Sequence, residues 1–206
     1  MTTNRLLRLL SMAATCLLFT SCIDSSVPLS DPNTSKADER LAGNWRLRND
    51  DGSVNSYRFT LAGDKLPASV MLVAASRHKP DGTTEKIDPF RLFPTTIGDK
   101  TYLNITEGTE PKVKLVEEKG WTAETVNTYW IYRYQITGDV LTMQGIRVDA
   151  KNQAIKAGKI KGVIEKDQQG NPKICFTDTT ENLVKFVVEA GDDLFRKDVV
   201  RLERVK

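Results

Sequence analysis

Apolar and polar side chains alternate most regularly along residues 127–148, NTYWIYRYQITGDVLTMQGIRV. From residue 130 to residue 136 every second position is aromatic or aliphatic, which is the period of a strand with one buried face. Gly138-Asp139 follows and favours a two-residue type II′ hairpin turn. A turn at this place fixes the register and pairs Tyr132 with Gly145, Tyr134 with Met143, and Ile136 with Leu141. We therefore expect a broad aromatic face that points inward.

Other apolar runs separated by turn residues predict a β-rich chain. Residues 41–61 contain two candidate strands around a turn at Asp50-Asp51-Gly52. Residues 67–76 form a continuous apolar run, which is typical of a strand covered on both faces. Further strands are predicted at 90–93, 101–105 and 113–116, in a hairpin around 170–172, and in a closing strand at 198–206.

Two helices are predicted between these strands. In residues 149–158, DAKNQAIKAG, Asp149 is the expected N-cap and Gly158 the expected C-terminal stop. In residues 178–191, Asp178 with Glu181 three positions later resembles a capping box, and Gly191 ends the apolar period. The expected fold class is mainly β with two short helices, arranged as an antiparallel β-barrel or half-barrel in one domain over residues 38–206.

The first residues, MTTNRLLRLLSMAATCLLFTSC, have a different pattern. Arg5 and Arg8 provide a positive start, and a mostly apolar stretch runs from Leu6 to Phe19. This is the layout of a secretory signal peptide. The apolar stretch is shorter than the roughly 20 residues that a membrane-spanning helix needs. The sequence thus predicts a signal peptide over residues 1–21 and an exported protein.

The end of this stretch resembles the lipobox of bacterial lipoproteins. Phe19 precedes the small residues Thr20 and Ser21, and Cys22 follows. The resemblance implies cleavage before Cys22 and acylation of its thiol, so that the membrane is a partner through the lipid anchor. Two or more acyl chains give stable anchoring without a transmembrane helix. In the family an aspartate directly after the cysteine favours the inner membrane; Ile23 stands there, which favours the periplasmic face of the outer membrane.

Residues 23–36 are rich in Ser, Pro, Asp and Asn and lack an apolar period. Together with Cys22 they are predicted to form a lipidated, flexible tether over residues 22–37. Such a tether would let the domain stand away from the membrane surface.

Charge and composition exclude several function classes. Removal of residues 1–21 takes away two arginines and no acidic residue, so the formal net charge falls from +3 to +1. No long basic block remains to bind nucleic acid. Cys175 is the one thiol outside the signal peptide and lipobox, and His78 is the one histidine. Metal sites that need two histidines are therefore excluded, and we predict no catalytic residues, no metal and no cofactor.

The folded part resembles the lipocalin family at one motif. RLAGNWRL, residues 40–47, places Gly43-Asn44-Trp45 at the start of the first strand. In lipocalins this tryptophan packs at the closed end of the barrel under an arginine from near the C-terminus. The resemblance implies that Trp45 pairs with Arg201 or Arg204 as a cation–π contact. It also implies a small apolar or amphipathic ligand.

The inward aromatic face is the candidate binding site. Trp130, Tyr132, Tyr134 and Met143 could line an apolar cavity; the alternative is a barrel whose side chains fill it completely. The predicted function is a non-enzymatic, lipid-anchored envelope protein that could bind a small apolar or amphipathic ligand. Its alternative is a structural lipoprotein that engages an envelope protein, and a third hypothesis is a hydrolase with a carboxylate-based site.

Overall fold

The computed structural model describes residues 23–166, 170 and 172–206, and its architecture is a closed antiparallel barrel of eight strands. The strands are β1 (Gly43–Arg48), β2 (Val54–Leu61), β3 (Met71–His78), β4 (Thr84–Ile97), β5 (Lys100–Glu107), β6 (Trp130–Thr137), β7 (Val140–Gly145), β8 (Gly162–Lys166), β9 (Pro172–Phe176) and β10 (Val200–Val205). Around the barrel the strand order is β1-β10-β7-β6-β5-β4-β3-β2, and β8 pairs with β9 in a separate two-stranded sheet.

Within the described residues, three α-helices lie in the connections: α1 (Glu110–Lys119), α2 (Val148–Lys156) and α3 (Thr180–Ala190). Short 3-10 helices precede β1 at Glu39–Leu41 and follow α3 at Gly191–Leu194. Helix α2, the β8–β9 hairpin and α3 are all inserted between β7 and β10, the two strands that pair to complete the barrel. The mainly β prediction and the antiparallel barrel are confirmed, and the architecture is consistent with a lipocalin-like barrel.

The β6–β7 hairpin has the predicted register. Tyr132 faces Gly145, Tyr134 faces Met143, and Ile136 faces Leu141. Gly138 has a φ of 57°, while no non-glycine residue among the described ones has positive φ. Positive φ at the first turn position alone is the mark of type II′, so turn chemistry and alternation specify this hairpin together.

The segment at 113–116 is a correction, because it is helical where a strand was predicted. Helix α1 begins after Thr109, carries a proline in its first turn and ends at Gly120. Its one fully buried side chain is Val116, which packs on the outer face of the barrel with Phe93 and Tyr129. A four-residue apolar run does not distinguish helix from strand, and the proline at the start was the better signal.

The predicted helix caps are shifted by one or two residues. Helix α2 begins at Val148 after Arg147, so Asp149 lies in its first turn rather than at the cap. The N-cap of α3 is Thr179, whose side chain accepts the amide N–H of Asn182. Asp178 instead accepts hydrogen bonds from the Asn182 side chain and from the Lys161 amide, and these bonds lower the pKa of Asp178 to about 2.

Three apolar clusters surround the barrel wall. One fills the interior. The second lies outside, between β5 and β6 and the layer formed by α2, β9 and α3. The third lies outside between β4 and helix α1 with the loop that follows it. The flank from β4 to β6 is therefore buried on both faces. The apolar run at 67–76 predicted such burial for β3 instead, but Ala74 on the outer face of β3 is exposed.

Candidate functional site

The barrel interior contains the residues predicted as a ligand wall. Tyr132, Tyr134 and Met143 are buried inside it, and Trp130 packs against the same cluster while half-buried. The sequence therefore located an inward face on β6 and β7. Leu141 of β7 and residues from the other strands complete the interior: Trp45, Tyr57, Phe59, Met71, Val73, Phe90, Leu92, Leu103, Ile105 and Leu202.

These side chains leave little free space. The interior cavity has a volume of about 20 Å³. A space of this size holds one water at most, and a water also needs polar partners. The lining residues are Tyr57, Phe59, Phe90, Leu92, Ile105, Tyr132, Met143 and Leu202. The filled-core alternative therefore describes this conformation of the barrel.

A second small cavity lies at one end of the barrel, which we call the mouth: the end where β6 begins at Trp130 and β7 ends at Gly145. Its volume is about 30 Å³. Tyr132 lines both this cavity and the interior one. The ring of Tyr132 thus separates the interior space from the mouth. The other lining residues are Asp24, Gly145, Ile146, Arg196, Asp198 and Val200.

The tyrosine hydroxyls inside the barrel remain protonated at neutral pH. Burial raises the pKa of Tyr132 and of Tyr134 well above the ordinary tyrosine value. The Tyr134 hydroxyl donates to Oδ2 of Asp38 at 2.8 Å. Burial opposes ionisation of Asp38, but hydrogen bonds from Arg40 and Tyr134 outweigh it and lower the pKa of the carboxyl. At neutral pH the Tyr134 hydroxyl is therefore the donor and the Asp38 carboxylate the acceptor of this hydrogen bond.

The opposite end, which we call the floor, is closed by Trp45 and Arg204. The Arg204 guanidinium lies 4.2 Å from the centre of the Trp45 ring and donates to the carbonyl oxygens of Ala42, at 2.7 Å, and Arg40. The indole N–H of Trp45 donates to the Leu41 carbonyl at 2.8 Å. Of the two arginines considered, Arg204 forms the pair, and Arg201 is exposed on the outer side of β10.

Gly43 of the Gly-Asn-Trp motif has a physical role at this floor. Its φ is 120°, and a Cβ at this position would lie 2.9 Å from Nη1 of Arg204. The glycine therefore gives the guanidinium room to reach the carbonyl oxygens beneath it.

The N-terminal segment, residues 23–37, is a correction to the predicted flexible tether. Asp24, Ser25 and Leu29 are buried, with exposed fractions of 3%, 0% and 3%. The segment runs along the outside of the barrel: the Leu29 amide donates to Oδ1 of Asn104 at 2.7 Å, and Ser30 contacts Thr95. Its polar composition suggested a linker, but these polar groups satisfy hydrogen-bonding groups on the barrel surface.

Asp24 and Lys151 form a buried ion pair that sequence reasoning missed. Lys151 Nζ donates to Asp24 Oδ1 at 2.8 Å, and Asp24 Oδ2 accepts the amide N–H of Ile131 at 3.0 Å. The Lys151 side chain is fully buried. Burial raises the pKa of Asp24, although Lys151 and the Ile131 amide act in the opposite direction. A signal existed in the sequence, because Ala154 and Ile155 place Lys151 on the apolar side of its helix.

A buried arginine, Arg91, was also missed. It is 1% exposed on the outer side of β4, donates to the Glu107 carbonyl at 2.8 Å, and stacks 5.0 Å from the Trp121 ring centre. Burial lowers its pKa to about 10. Its position between β4 and the loop after α1 assigns it a role in holding that loop to the barrel.

The remaining expectations concern metal ligands, membrane-spanning helices and the lipid attachment residue. Within the described residues, no three His, Cys, Asp or Glu side chains are grouped as metal ligands. None of the helices in this part of the chain combines the length and apolar character needed to cross a bilayer. Cys22, the predicted lipid attachment residue, lies outside the described residues.

Comparison with known proteins finds no match for this chain among protein-family models, curated proteins or solved structures.

Proposed function

We propose that this chain is an exported lipoprotein, anchored through acyl chains on Cys22, whose filled barrel is a non-enzymatic scaffold that engages a protein of the cell envelope. The resemblance of Phe19–Cys22 to a lipobox supports the anchor. The observation that supports the scaffold role is the interior cavity of only about 20 Å³, which leaves the outer surface as the part available for binding. The periplasmic face of the outer membrane is the proposed location.

The buried charged groups support a role without catalysis. Asp24 is paired with Lys151, and Arg91 is held by the Glu107 carbonyl and the Trp121 ring. Arg91 is enclosed by protein, and the cavity that Asp24 lines has a volume of only about 30 Å³. A catalytic group would face a cleft large enough for a substrate. Their arrangement is that of structural polar contacts in a packed domain.

Metabolic labelling tests the anchor. Cells that express the full chain are given an alkyne-tagged palmitate, and the label on the protein is compared with that on the Cys22→Ala variant. We expect labelling and membrane fractionation of the native chain, and an unlabelled, uncleaved or soluble product for the variant. An unlabelled native chain would contradict the proposal.

In-cell photo-crosslinking tests the scaffold role. A crosslinking amino acid is placed at exposed apolar positions on different elements, such as Leu61 on β2 and Val188 on α3, which are 47% and 59% exposed. We expect a discrete crosslinked protein from one face and none from the others. Absence of any such product across all exposed faces would contradict a protein partner.

Ligand binding is the second candidate, and the two cavities on either side of Tyr132 favour it. Rotation of this ring would join the interior cavity to the mouth, and the flexible Met143 side chain could also move aside. Native mass spectrometry of protein purified from its own membrane tests this candidate. A bound apolar molecule that is lost in Leu202→Phe, which fills the cavity, but kept in the outward-facing control Val205→Phe, would establish it. An empty native protein would exclude it.

A further inference from the structure

We infer that the domain is held directly against the bilayer, with the barrel mouth facing the lipid headgroups, instead of standing off on a tether. This inference rests on the proposed acylation of Cys22. It follows from where the packed chain begins relative to that cysteine.

The chain is fixed to the domain from residue 24 onward. The Asp24 carboxylate binds Lys151 at 2.8 Å and the Ile131 amide at 3.0 Å, and Lys151 Nζ also donates to the carbonyl of Ile23 at 3.3 Å. Asp24 is 3% exposed and Lys151 is fully buried. Release of this residue would leave a buried ammonium group without its carboxylate, which is strongly unfavourable.

Backbone hydrogen bonds hold the same residues on both sides. Asp24 N–H donates to the Tyr129 carbonyl at 2.8 Å, and the Phe176 N–H donates to the Asp24 carbonyl at 2.9 Å. Ser25 forms a bridge antiparallel to Tyr129 and a bridge parallel to Phe176. The start of the segment is therefore held by backbone bridges between Tyr129, which precedes β6, and Phe176 at the end of β9.

Only a short piece of chain separates these bridges from the proposed anchor at Cys22. Cys22 precedes Asp24 by two residues, and two extended residues span at most about 7 Å. The acyl chains on Cys22 must lie in the bilayer. Asp24 can therefore lie at most about 7 Å further from the bilayer than Cys22 does.

The surface around that point is the barrel mouth. Arg196 and Asp198 line the mouth cavity together with Asp24, and Lys197 and Val199 are exposed in the same connection. Arginine and lysine side chains suit the phosphates of lipid headgroups, and Val199, 48% exposed, suits the interface. The β4–β5 turn at Asp99 lies at the other end of the barrel, about 23 Å away along an eight-residue strand.

Depth-dependent quenching tests the inference. Lys197→Cys at the mouth and Asp99→Cys at the far end are both exposed positions and are labelled with the same fluorophore; the native Cys175 is buried. The acylated protein is purified from membranes and reconstituted in phosphatidylethanolamine–phosphatidylglycerol vesicles that contain a headgroup-nitroxide lipid. We expect quenching at position 197 to exceed that at position 99 several-fold.

A linker insertion provides the matched control. A Gly–Ser linker of about 12 residues between Ile23 and Asp24 has an r.m.s. reach of about 19 Å and leaves the Asp24 contacts in place. We expect it to reduce quenching at 197 towards the value at 99. Equal quenching at the two positions, or no effect of the linker, would overturn the inference.

Mass spectrometry of the Cys22 peptide distinguishes failure of the proposed acylation from failure of the inferred contact between the barrel mouth and the bilayer. An acylated Cys22 with equal quenching at both positions removes only the contact with the bilayer and leaves the lipoprotein in place. A Cys22 without acyl chains removes the proposed anchor, and the inference with it.

Discussion

At the scale of single residues, the buried polar groups carry the most specific energetics. Asp24 and Lys151 are both shielded from water, and each is the charged partner of the other. A buried ion pair contributes little relative to an apolar pair, but loss of one partner is costly because the other charge stays buried. This asymmetry gives a test of the pair.

Lys151→Met is expected to lower the free energy of unfolding by about 3–5 kcal/mol at neutral pH. The cost should shrink as the pH falls, because the isolated Asp24 carboxyl, with its pKa raised by burial, becomes neutral in the folded state first. The double variant Asp24→Asn/Lys151→Met keeps an acceptor for the Ile131 amide and should recover much of the loss. Urea unfolding of the variants at two pH values measures this.

The exposed Lys156 in the same helix supplies the control. Lys156→Met should change the free energy of unfolding by less than about 0.5 kcal/mol. Equal destabilisation by the Lys151 single and double variants would show that lost packing, rather than an unpaired charge, determines the cost.

The floor contact depends on the shape of the arginine side chain. Arg204→Ala removes a cation–π contact and two hydrogen bonds to carbonyl oxygens, so we expect a loss of about 2–3 kcal/mol. Arg204→Lys should restore only part of it, since an ammonium lacks the planar fork. Thermal or urea unfolding measures both. Arg201→Ala on the same strand is the control, and a similar loss there would contradict a specific role for the pair.

At the scale of elements, a substitution in the turn between β6 and β7 measures the cost of backbone strain without a change in packing. A Cβ at Gly138 would meet nothing within 4 Å, but its φ is 57°. Gly138→Ala should therefore cost about 1–2 kcal/mol through conformation alone. Gly63 has equally open surroundings without positive φ, so Gly63→Ala should be close to neutral. Equal effects in urea unfolding would mean that the turn conformation is not the cause.

The elements that the sequence predicted well are those in which two independent signals agree. In β6 and β7 the alternation and the Gly138-Asp139 turn fix one register, and the structure has that register. In α3 the apolar period and Gly191 give the helix and its end, although the cap falls on Thr179 rather than Asp178. Helix α1 was missed because a short apolar run carries no period of its own.

The parts that were not predictable depend on contacts distant in sequence. Residues 23–37 have the composition of a linker, and contacts with residues far along the chain, such as Asn104, Lys151 and Phe176, explain why they pack. The inward direction of Tyr132 and Met143 follows from alternation, but whether side chains from eight strands fill the interior depends on their combined volume. Periodicity predicts which way a side chain points, but it does not predict how much empty volume remains inside the barrel.

At the scale of the whole molecule, each of the three apolar clusters contains at least one tyrosine. All five are buried: Tyr57, Tyr132 and Tyr134 in the interior, Tyr102 in the cluster beside α2 and α3, and Tyr129 in the cluster beside α1. Burial raises the pKa of each, to about 12 for Tyr57 and Tyr129. Ionisation of the tyrosines therefore reports on whether all three clusters remain packed.

The sign of the resulting pH dependence is fixed. Unfolded tyrosines lose their protons near pH 10, while the folded ones keep theirs, so between about pH 10 and pH 12 the unfolded state binds fewer protons. The free energy of unfolding then falls by up to about 1.4 kcal/mol per pH unit for each tyrosine. Below pH 10 both states hold these protons, and the tyrosines make no contribution to the slope.

We therefore expect a single steep alkaline unfolding transition in which tyrosinate absorbance rises together with the loss of far-UV circular dichroism. Tyr57→Phe should reduce the slope of the urea midpoint against pH by the share of one tyrosine, whatever it does to stability at neutral pH. If tyrosinate formed near pH 10 in protein that kept its circular dichroism, one layer would open before the others. The interior and the two outer clusters would then not unfold as one cooperative unit.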